Sequence, residues 1–94
     1  MKRIISKHYP YMKENFKIKE IGIFGSFVKN KADIDDISDI DILISFKKGH
    51  KDFFNYMRLK YYLEVILGRK VDLVIKDAIK PRLREKILQE VKYV

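Results

Sequence analysis

Apolar residues gather into three short, nearly continuous runs that polar segments separate. Such runs are typical of β-strands buried within a sheet. The second run is almost continuously apolar after Asp41, as expected for a strand that is covered on both faces. The pattern therefore predicts strands at about residues 20–24, 40–46 and 70–76.

Around these strands, apolar positions recur at spacings of three and four, which is the helical period. Gly68 suits the position after a helix, and Pro81 suits the first position of one. Pro10 is awkward inside a helix, so the first helix either begins near Pro10 or is kinked there. The pattern predicts helices over residues 2–15, 50–67 and 81–91, a short helix over 26–30 and a polar loop over 31–38.

Each of the three longer predicted helices has one apolar face. The middle helix is rich in aromatic residues, which could stack on nucleic-acid bases. Their helical spacing instead favours burial in the core or contact with a protein partner. The predicted apolar faces are Ile4, Ile5, His8 and Met12 in the first helix, Phe53, Phe54, Met57, Tyr61 and Val65 in the middle helix, and Leu83, Ile87, Leu88 and Val91 in the last.

The order of these elements indicates a single α/β (α+β) domain that spans residues 1–94. Its core would be a small mixed β-sheet of three or more strands, flanked by helices. No stretch has the composition of a linker, and no internal repeat is visible. We therefore expect one globular domain, which leaves no room for a second lobe to hold an acceptor substrate.

Composition narrows the classes of function. The chain has no cysteine, which excludes a disulfide framework, thiol catalysis and cysteine-ligated zinc. No apolar run approaches the roughly 18 residues that span a bilayer, and the N-terminus lacks a signal-peptide core, so we expect a cytoplasmic protein. The net charge of +8 fits a lysine-rich surface, an acidic partner or nucleic-acid binding.

Two carboxylates open the second predicted strand. Asp39 and Asp41 are two residues apart, so in a strand both side chains project from the same face. Paired carboxylates repel each other unless a cation lies between them, and hard oxygen ligands suit Mg²⁺. The alternative is a solvated strand end. The loop carries a similar pair, Asp33 and Asp35, but only Asp39 and Asp41 lead directly into an apolar strand.

A third carboxylate, Asp72, lies inside the third apolar run. Burying a carboxylate there is unfavourable unless it has a partner. A neighbouring strand would bring Asp72 beside Asp39 and Asp41, which gives three acidic groups around one or two metal ions. Two-metal sites of this kind stabilise the attacking and leaving oxygens in nucleotidyl transfer. The alternative is an ion pair of Asp72 with Arg69 or Lys70.

A Gly25-Ser26 turn closes the first predicted strand. Glycine lets the backbone approach a phosphate, and Ser26 with the amides that follow could donate hydrogen bonds at a helix N-terminus. Gly-Ser is also a common turn. It gains meaning here because a strand precedes it and a carboxylate-bearing strand follows.

Together these motifs resemble the nucleotidyltransferase superfamily typified by DNA polymerase beta. The resemblance rests on the segments 24–26, 38–44 and 71–74, and it covers about residues 21–94. The short length and the segment 80–91 are similar to the minimal nucleotidyltransferase (MNT) proteins of HEPN–MNT toxin–antitoxin modules. Family members commonly carry Arg-Gly where this chain has Lys29-Asn30.

The resemblance implies a nucleotidyltransferase-like fold and the role of each site residue. Asp39 and Asp41 would bind two Mg²⁺ ions, and Asp72 would ligate metal or help to deprotonate the attacking hydroxyl. Gly25 and Ser26, with Lys29 in place of the family's arginine, would hold the triphosphate of ATP. These three carboxylates are thus the implied catalytic and metal-binding residues.

The resemblance also implies an activity and a partner. An antitoxin of this kind transfers AMP from ATP to a tyrosine of its cognate HEPN RNase toxin, and it can form a hetero-oligomer with that toxin. One alternative is an antitoxin that neutralises the toxin by direct binding, without catalysis. A second alternative, ranked last, is a basic nucleic-acid-binding domain. No membrane partner is expected.

Overall fold

The computed structural model describes residues 2–25 and 39–94, with the main chain alone at Asp39. Within these residues it consists of a four-stranded sheet with helices on both faces. The elements in chain order are α1 (Lys2–Asn15), β1 (Ile18–Phe24), β2 (Asp39–Phe46), α2 (Phe53–Leu67), β3 (Lys70–Ile75), a 3-10 helix (Lys76–Ala78), α3 (Pro81–Glu90) and β4 (Lys92–Tyr93).

The sheet is mixed, and its strand order is β3-β2-β1-β4. β1 is antiparallel to both β2 and β4, whereas β2 and β3 are parallel. A parallel pair needs a crossover connection, and α2 supplies it. The α/β (α+β) class with a small mixed sheet, predicted from the order of elements, is therefore confirmed.

Strands β1, β2 and β3 send alternate side chains to two separate apolar clusters. The larger cluster lies between the sheet and helices α1 and α2, and the smaller cluster lies beneath α3. In β2, Ile42 is fully buried in the larger cluster and its neighbour Leu43 is buried in the smaller one. The prediction that β2 is covered on both faces is confirmed.

Helix α1 continues through Pro10 rather than beginning there. Its buried residues are Ile5 and Met12, both of which the sequence placed on the inner face. Ile4, also predicted on that face, leaves 39% of its surface exposed. The helical spacing therefore predicted the helix and two of its buried residues, but it also placed Ile4, which is exposed, on the buried face.

Helix α2 begins three residues later than predicted, at Phe53. The side chain of Asp52 caps its N-terminus, because one carboxylate oxygen accepts a hydrogen bond of 2.9 Å from the main-chain N–H of Asn55. The helix ends as predicted at Gly68, which adopts the left-handed conformation with φ 66°.

The aromatic face of α2, predicted either to enter the core or to contact a protein partner, is not the buried face. Asn55, Leu59 and Leu63 point into the core, whereas Phe54 and Tyr61 are 79% and 70% exposed. Asn55 is drawn inward because its side-chain amide donates to two main-chain carbonyls, those of Phe16 at 2.6 Å and His50 at 3.0 Å. A polar residue thus sets the rotation of the helix, which apolar periodicity could not indicate.

Helix α3 covers the smaller cluster, and the last strand follows it. α3 begins at Pro81 as predicted, and Ile87 and Leu88 pack inward with Val91, but Leu83 is 45% exposed. β4 has only two residues and was not predicted. It pairs with β1 beside Gly22, where a Cβ atom would lie 2.7 Å from a methyl group of Val91.

The free edge of β3 is covered by two side chains of α2. The main-chain N–H of Val71 donates to the Glu64 carboxylate at 3.0 Å, and the Tyr56 hydroxyl donates to the carbonyl of Leu73 at 2.6 Å. An uncovered edge would expose these main-chain groups to other strands. Val71 and Leu73 flank Asp72, so α2 fixes the backbone on both sides of that residue.

The protonation states of Glu64 and Tyr56 favour both hydrogen bonds at the edge of β3. A hydrogen bond from Lys60 at 2.8 Å, together with the Val71 N–H, lowers the pKa of Glu64 below its ordinary value. Burial, reinforced by the nearby charge of Asp72, raises the pKa of Tyr56, and Lys60 only partly opposes this. Near neutral pH, Glu64 is therefore an ionised acceptor and Tyr56 a protonated donor.

The short helix predicted over residues 26–30 and the loop predicted over 31–38 lie outside the described residues. Across the part of the chain that the structure describes, every helix is too short or too polar to cross a lipid bilayer.

Replacing Tyr56 with phenylalanine removes the hydroxyl and leaves the carbonyl of Leu73 without that donor. We expect Tyr56→Phe to lower the free energy of unfolding by about 1 kcal/mol, the usual net value of such a bond. Urea denaturation followed by circular dichroism measures the change. Tyr11→Phe, at a half-exposed position on α1, is the matched control and should change stability less. Equal losses in the two variants would contradict a special role for Tyr56.

Replacing Glu64 with glutamine keeps an acceptor for Val71 but removes the charge. Because the folded pKa of Glu64 is depressed, its ionic contribution is complete above the ordinary value of 4.5 and disappears as pH falls through the folded pKa. Wild type should therefore exceed Glu64→Gln in stability near neutral pH, by about 1 kcal/mol, and converge with it in acid. Denaturation at a series of pH values tests this, and two parallel curves would contradict it.

Candidate active site

The parallel register of β2 and β3 pairs Asp41 directly with Asp72. Adjacent strands lie about 4.8 Å apart, so two carboxylate-bearing residues are neighbours across the ladder. They are on the same face of the sheet, because the next residues, Ile42 and Leu73, both enter the larger cluster on the opposite face.

The two carboxylates differ in exposure. Asp41 is half-buried near the centre of the sheet, whereas Asp72 is exposed on the edge strand. Beyond them along the strands, Leu43 and Val74 lie in the apolar cluster beneath α3. The pair therefore stands at the border between an apolar base and solvent, where a charged ligand can enter without crossing the core.

Gly25 lies against the carboxylate of Asp41. β1 runs antiparallel to β2 and pairs Phe24 with Asp41, so the turn after Phe24 meets the beginning of β2. Gly25 has φ 84°, and a Cβ atom there would collide with Oδ2 of Asp41 and lie 3.2 Å from its Cγ. Only glycine suits both the backbone conformation and the space. The structure thus brings Gly25, Asp41 and Asp72 together.

The remaining predicted site residues are described in part or not at all. Asp39 begins β2, and its main chain is in register with Lys70 of β3. Ser26 and Lys29 lie outside the described residues, as do Asp33 and Asp35 of the loop. Their predicted roles remain predictions.

The donor set fits a magnesium ion. Mg²⁺ is commonly held by one or two carboxylates together with water and substrate phosphates. Asp41 and Asp72 supply two such groups on neighbouring strands, and the carboxylate of Asp41 extends into the space that Gly25 leaves by having no side chain. The side chain of Asp39 is not among the described ones. Among those that are described, no three potential metal ligands form a group.

Such an arrangement can support phosphoryl or nucleotidyl transfer. Carboxylates on neighbouring strands can hold metal ions that neutralise charge on a triphosphate, while a glycine turn admits the phosphates closely. Rigid strands keep the ligands at fixed separations, which the reaction requires.

Sequence reasoning missed the residues that support Asp72. Glu64 and Tyr56 of α2 hydrogen-bond to the main chain on either side of it. The available signal for Glu64 was a carboxylate in the last turn of a helix that leads through Gly68 into an apolar strand. For Tyr56 we find no comparable local signal, because its partner is 17 residues away.

Comparison with known sequences identifies the family. The profile of the nucleotidyltransferase domain family matches residues 5–94. A relative from Thermococcus cleftensis, the protein adenylyltransferase MntA, is 40% identical over 91 residues, which covers 97% of this chain and 89% of the relative. A relative from Methanocaldococcus jannaschii, named as a candidate protein adenylyltransferase, is 43% identical over 95 residues, which covers 100% of this chain and 94% of the relative.

Solved structures agree with the sequence comparison. A candidate minimal nucleotidyltransferase superposes with TM-score 0.79 at 32% identity, covering 96% of this chain and 89% of that one. A chain from a toxin–antitoxin crystal structure with AMP-PNP superposes with TM-score 0.73 at 25% identity, covering 94% and 69%. A chain from the complex of tri-AMPylated Shewanella oneidensis HEPN toxin with MNT antitoxin shares the fold, with TM-score 0.68 at 22% identity, covering 99% and 71%.

The family profile spans nearly the whole chain, and both relatives share well over 30% of their residues with it. The resemblance first indicated by the glycine turn and the three aspartates is thereby confirmed at the level of the family. This chain therefore belongs to the nucleotidyltransferase domain family, in the branch of the MntA-like protein adenylyltransferases.

Proposed function

We propose that this protein is the antitoxin of a toxin–antitoxin pair and that it transfers AMP from ATP to a tyrosine of a HEPN toxin, with Mg²⁺ bound. The observation that carries the proposal is the register that sets Asp41 beside Asp72, with Gly25 against Asp41. This arrangement suits a metal-bound triphosphate better than it suits a solvated strand end.

The relatives support the choice of a protein acceptor. The Thermococcus cleftensis relative is named a protein adenylyltransferase, and similar chains occur in toxin–antitoxin complexes, one with AMP-PNP and one with an AMPylated HEPN toxin. These are properties of those proteins. Identity of 40% across almost the entire chain makes the same reaction the best hypothesis for this one.

Each site residue has a proposed role. Asp39 and Asp41 hold the metal ions, and Gly25 and Ser26 admit and hold the triphosphate, with Lys29 adding a positive charge. Mg²⁺, when bound, would polarise the phosphates and offset the charge on the leaving pyrophosphate. Asp72, exposed at the edge of the sheet, ligates metal or helps to deprotonate the acceptor hydroxyl.

The reaction exchanges one phosphorus–oxygen bond for another. The hydroxyl oxygen of the acceptor tyrosine bonds to the α-phosphorus of ATP, and the bond from that phosphorus to the oxygen that bridges to the β-phosphate breaks. Pyrophosphate leaves with the electron pair. The hydroxyl proton passes to a carboxylate, for which Asp72 is proposed, and then to water. The products are tyrosine-linked AMP and pyrophosphate.

Replacing Asp41 with asparagine tests the proposal directly. The protein is incubated with Mg²⁺, ATP and the product of the neighbouring gene, and the partner's mass is measured. Wild type should add AMP to the partner, whereas Asp41→Asn should be slower by at least about a hundredfold, because a metal ligand and its charge are lost. Asp77→Asn, on the exposed 3-10 helix, is the matched control and should retain activity.

Two outcomes would overturn the enzymatic proposal. One is that wild type adds no mass to the partner although both proteins are folded. The other is that Asp41→Asn neutralises the toxin as well as wild type does, in a stable complex and without transfer. The latter result would assign the protein to the antitoxins that act by binding alone.

Replacing Gly25 with alanine tests the space beside Asp41. Alanine at φ 84° is strained by about 1–2 kcal/mol, and its Cβ would also displace the Asp41 carboxylate. Gly49→Ala is the matched control, because Gly49 has φ 86° with no atom within 4 Å of the added Cβ. We expect both variants to lose similar stability in urea denaturation, but only Gly25→Ala to lose AMP transfer. Equal activity in the two variants would refute the proposed role of Gly25.

A further inference from the structure

An apolar stripe runs along the outer side of α2. It consists of Phe54, Met57, Tyr61 and Val65, which are 79%, 42%, 70% and 60% exposed. Their spacings of three and four residues place them on one side of the helix, away from the buried residues Asn55, Leu59 and Leu63. We call these four residues the α2 stripe.

The size of the α2 stripe is unusual for a chain of 94 residues. An aromatic side chain offers about 200 Å², so Phe54 and Tyr61 alone expose roughly 300 Å². Together with Met57 and Val65, this approaches the largest apolar patches found on typical monomers, which commonly bind a partner. Burial of such a patch at an interface would supply its apolar centre.

A shallow groove of about 290 Å³ adjoins the stripe, lined by Phe16, Arg58, Tyr61, Tyr62 and Val65. Its walls are held in place by ring contacts, because Tyr62 stacks on Tyr11 with ring centroids 5.2 Å apart. The guanidinium group of Arg58 lies 5.2 Å from the centre of the Phe16 ring. The groove thus combines aromatic walls with one positioned cation, a combination common at the energetic centres of interfaces.

The positive charge of this protein favours an acidic partner over a second copy of this chain at this surface. The protein carries a net charge of +8, and α1, which lies beside α2, exposes Lys2, Arg3, Lys7 and Lys13 against one carboxylate, Glu14. Two copies of this chain meeting through the stripe would bring like charges together. A partner that bears carboxylates around an apolar patch would instead be attracted, and one carboxylate could pair with Arg58.

We propose that the α2 stripe and its groove form the docking surface for the toxin subunit, which would present an apolar patch rimmed by carboxylates. This rests on the proposed function for the identity of the partner. α2 packs on the sheet face opposite to Asp41 and Asp72. A toxin subunit docked on the stripe therefore leaves the carboxylate site open to ATP and to an acceptor tyrosine.

Serine substitutions in the stripe test the docking surface. Phe54→Ser combined with Tyr61→Ser removes two exposed aromatic groups, and Leu83→Ser on α3 is the matched control, since Leu83 is also exposed. Toxin binding is measured by isothermal titration calorimetry without ATP. The stripe variant should bind at least about a hundredfold more weakly, whereas the control should bind as wild type does. Arg58→Glu should also weaken binding, as an acidic partner requires.

A kinetic measurement separates the failure of this proposal from the failure of the proposed function. In the stripe variant, KM for the toxin should rise while kcat at saturating toxin stays within about twofold of wild type, because the chemical site is untouched. If wild type transfers AMP and the stripe variant binds toxin equally well, the docking surface is wrong and the proposed function stands. If wild type neither binds nor modifies the toxin, both proposals fall.

Two further outcomes would assign the stripe to another occupant. Analytical ultracentrifugation could reveal a wild-type dimer that the stripe variant lacks, with toxin binding unchanged, and this would make the stripe a surface for a second copy. Alternatively, wild type but not the stripe variant could bind vesicles of anionic phospholipid, again with toxin binding unchanged, and this would make it a membrane-contacting surface. Either result overturns the toxin-docking proposal.

Discussion

The site depends on one constraint, the parallel pairing of β2 with β3, which fixes Asp41 beside Asp72. Carboxylates on paired strands repel each other when no cation lies between them. Apolar contacts elsewhere offset that repulsion, because both strands place their other side chains in the larger cluster and beneath α3. A cation between the carboxylates would turn the repulsion into attraction, which links metal binding to the geometry of the strands.

The same pairing explains why β3 and the Gly25 turn, which are far apart in the sequence, both lie beside Asp41. β3 is an edge strand, and the hydrogen bonds from Tyr56 and to Glu64 hold its backbone on both sides of Asp72. On the other side of Asp41, Gly25 leaves the space into which the carboxylate extends. Helix α2 thus holds the backbone that carries Asp72, and the carboxylate of Asp41 lies against the Gly25 turn.

Sequence patterns predicted the three longer strands, the C-terminal end of α2 and the start of α3, because these depend on local alternation, Gly68 and Pro81. They did not predict β4, which is two residues long and lies against β1 at Gly22, where a side chain would collide with it. They also left open whether the aromatic face of α2 enters the core, which Asn55 decides because it turns inward to bond to Phe16 and His50. In each case the deciding interaction joins residues distant in sequence, which periodicity does not record.

The exposed aromatic face of α2 carries information about function. Aromatic residues at helical spacing are usually buried, and here the fold buries Asn55 instead and leaves Phe54 and Tyr61 exposed. An exposed apolar surface of this size favours aggregation unless something covers it, and the proposed toxin partner would do so. Because the stripe and the carboxylates lie on opposite faces of the sheet, recognition of the partner and chemistry on it need not compete for the same surface. A protein of this size can therefore hold one part of a partner while another part reaches the site.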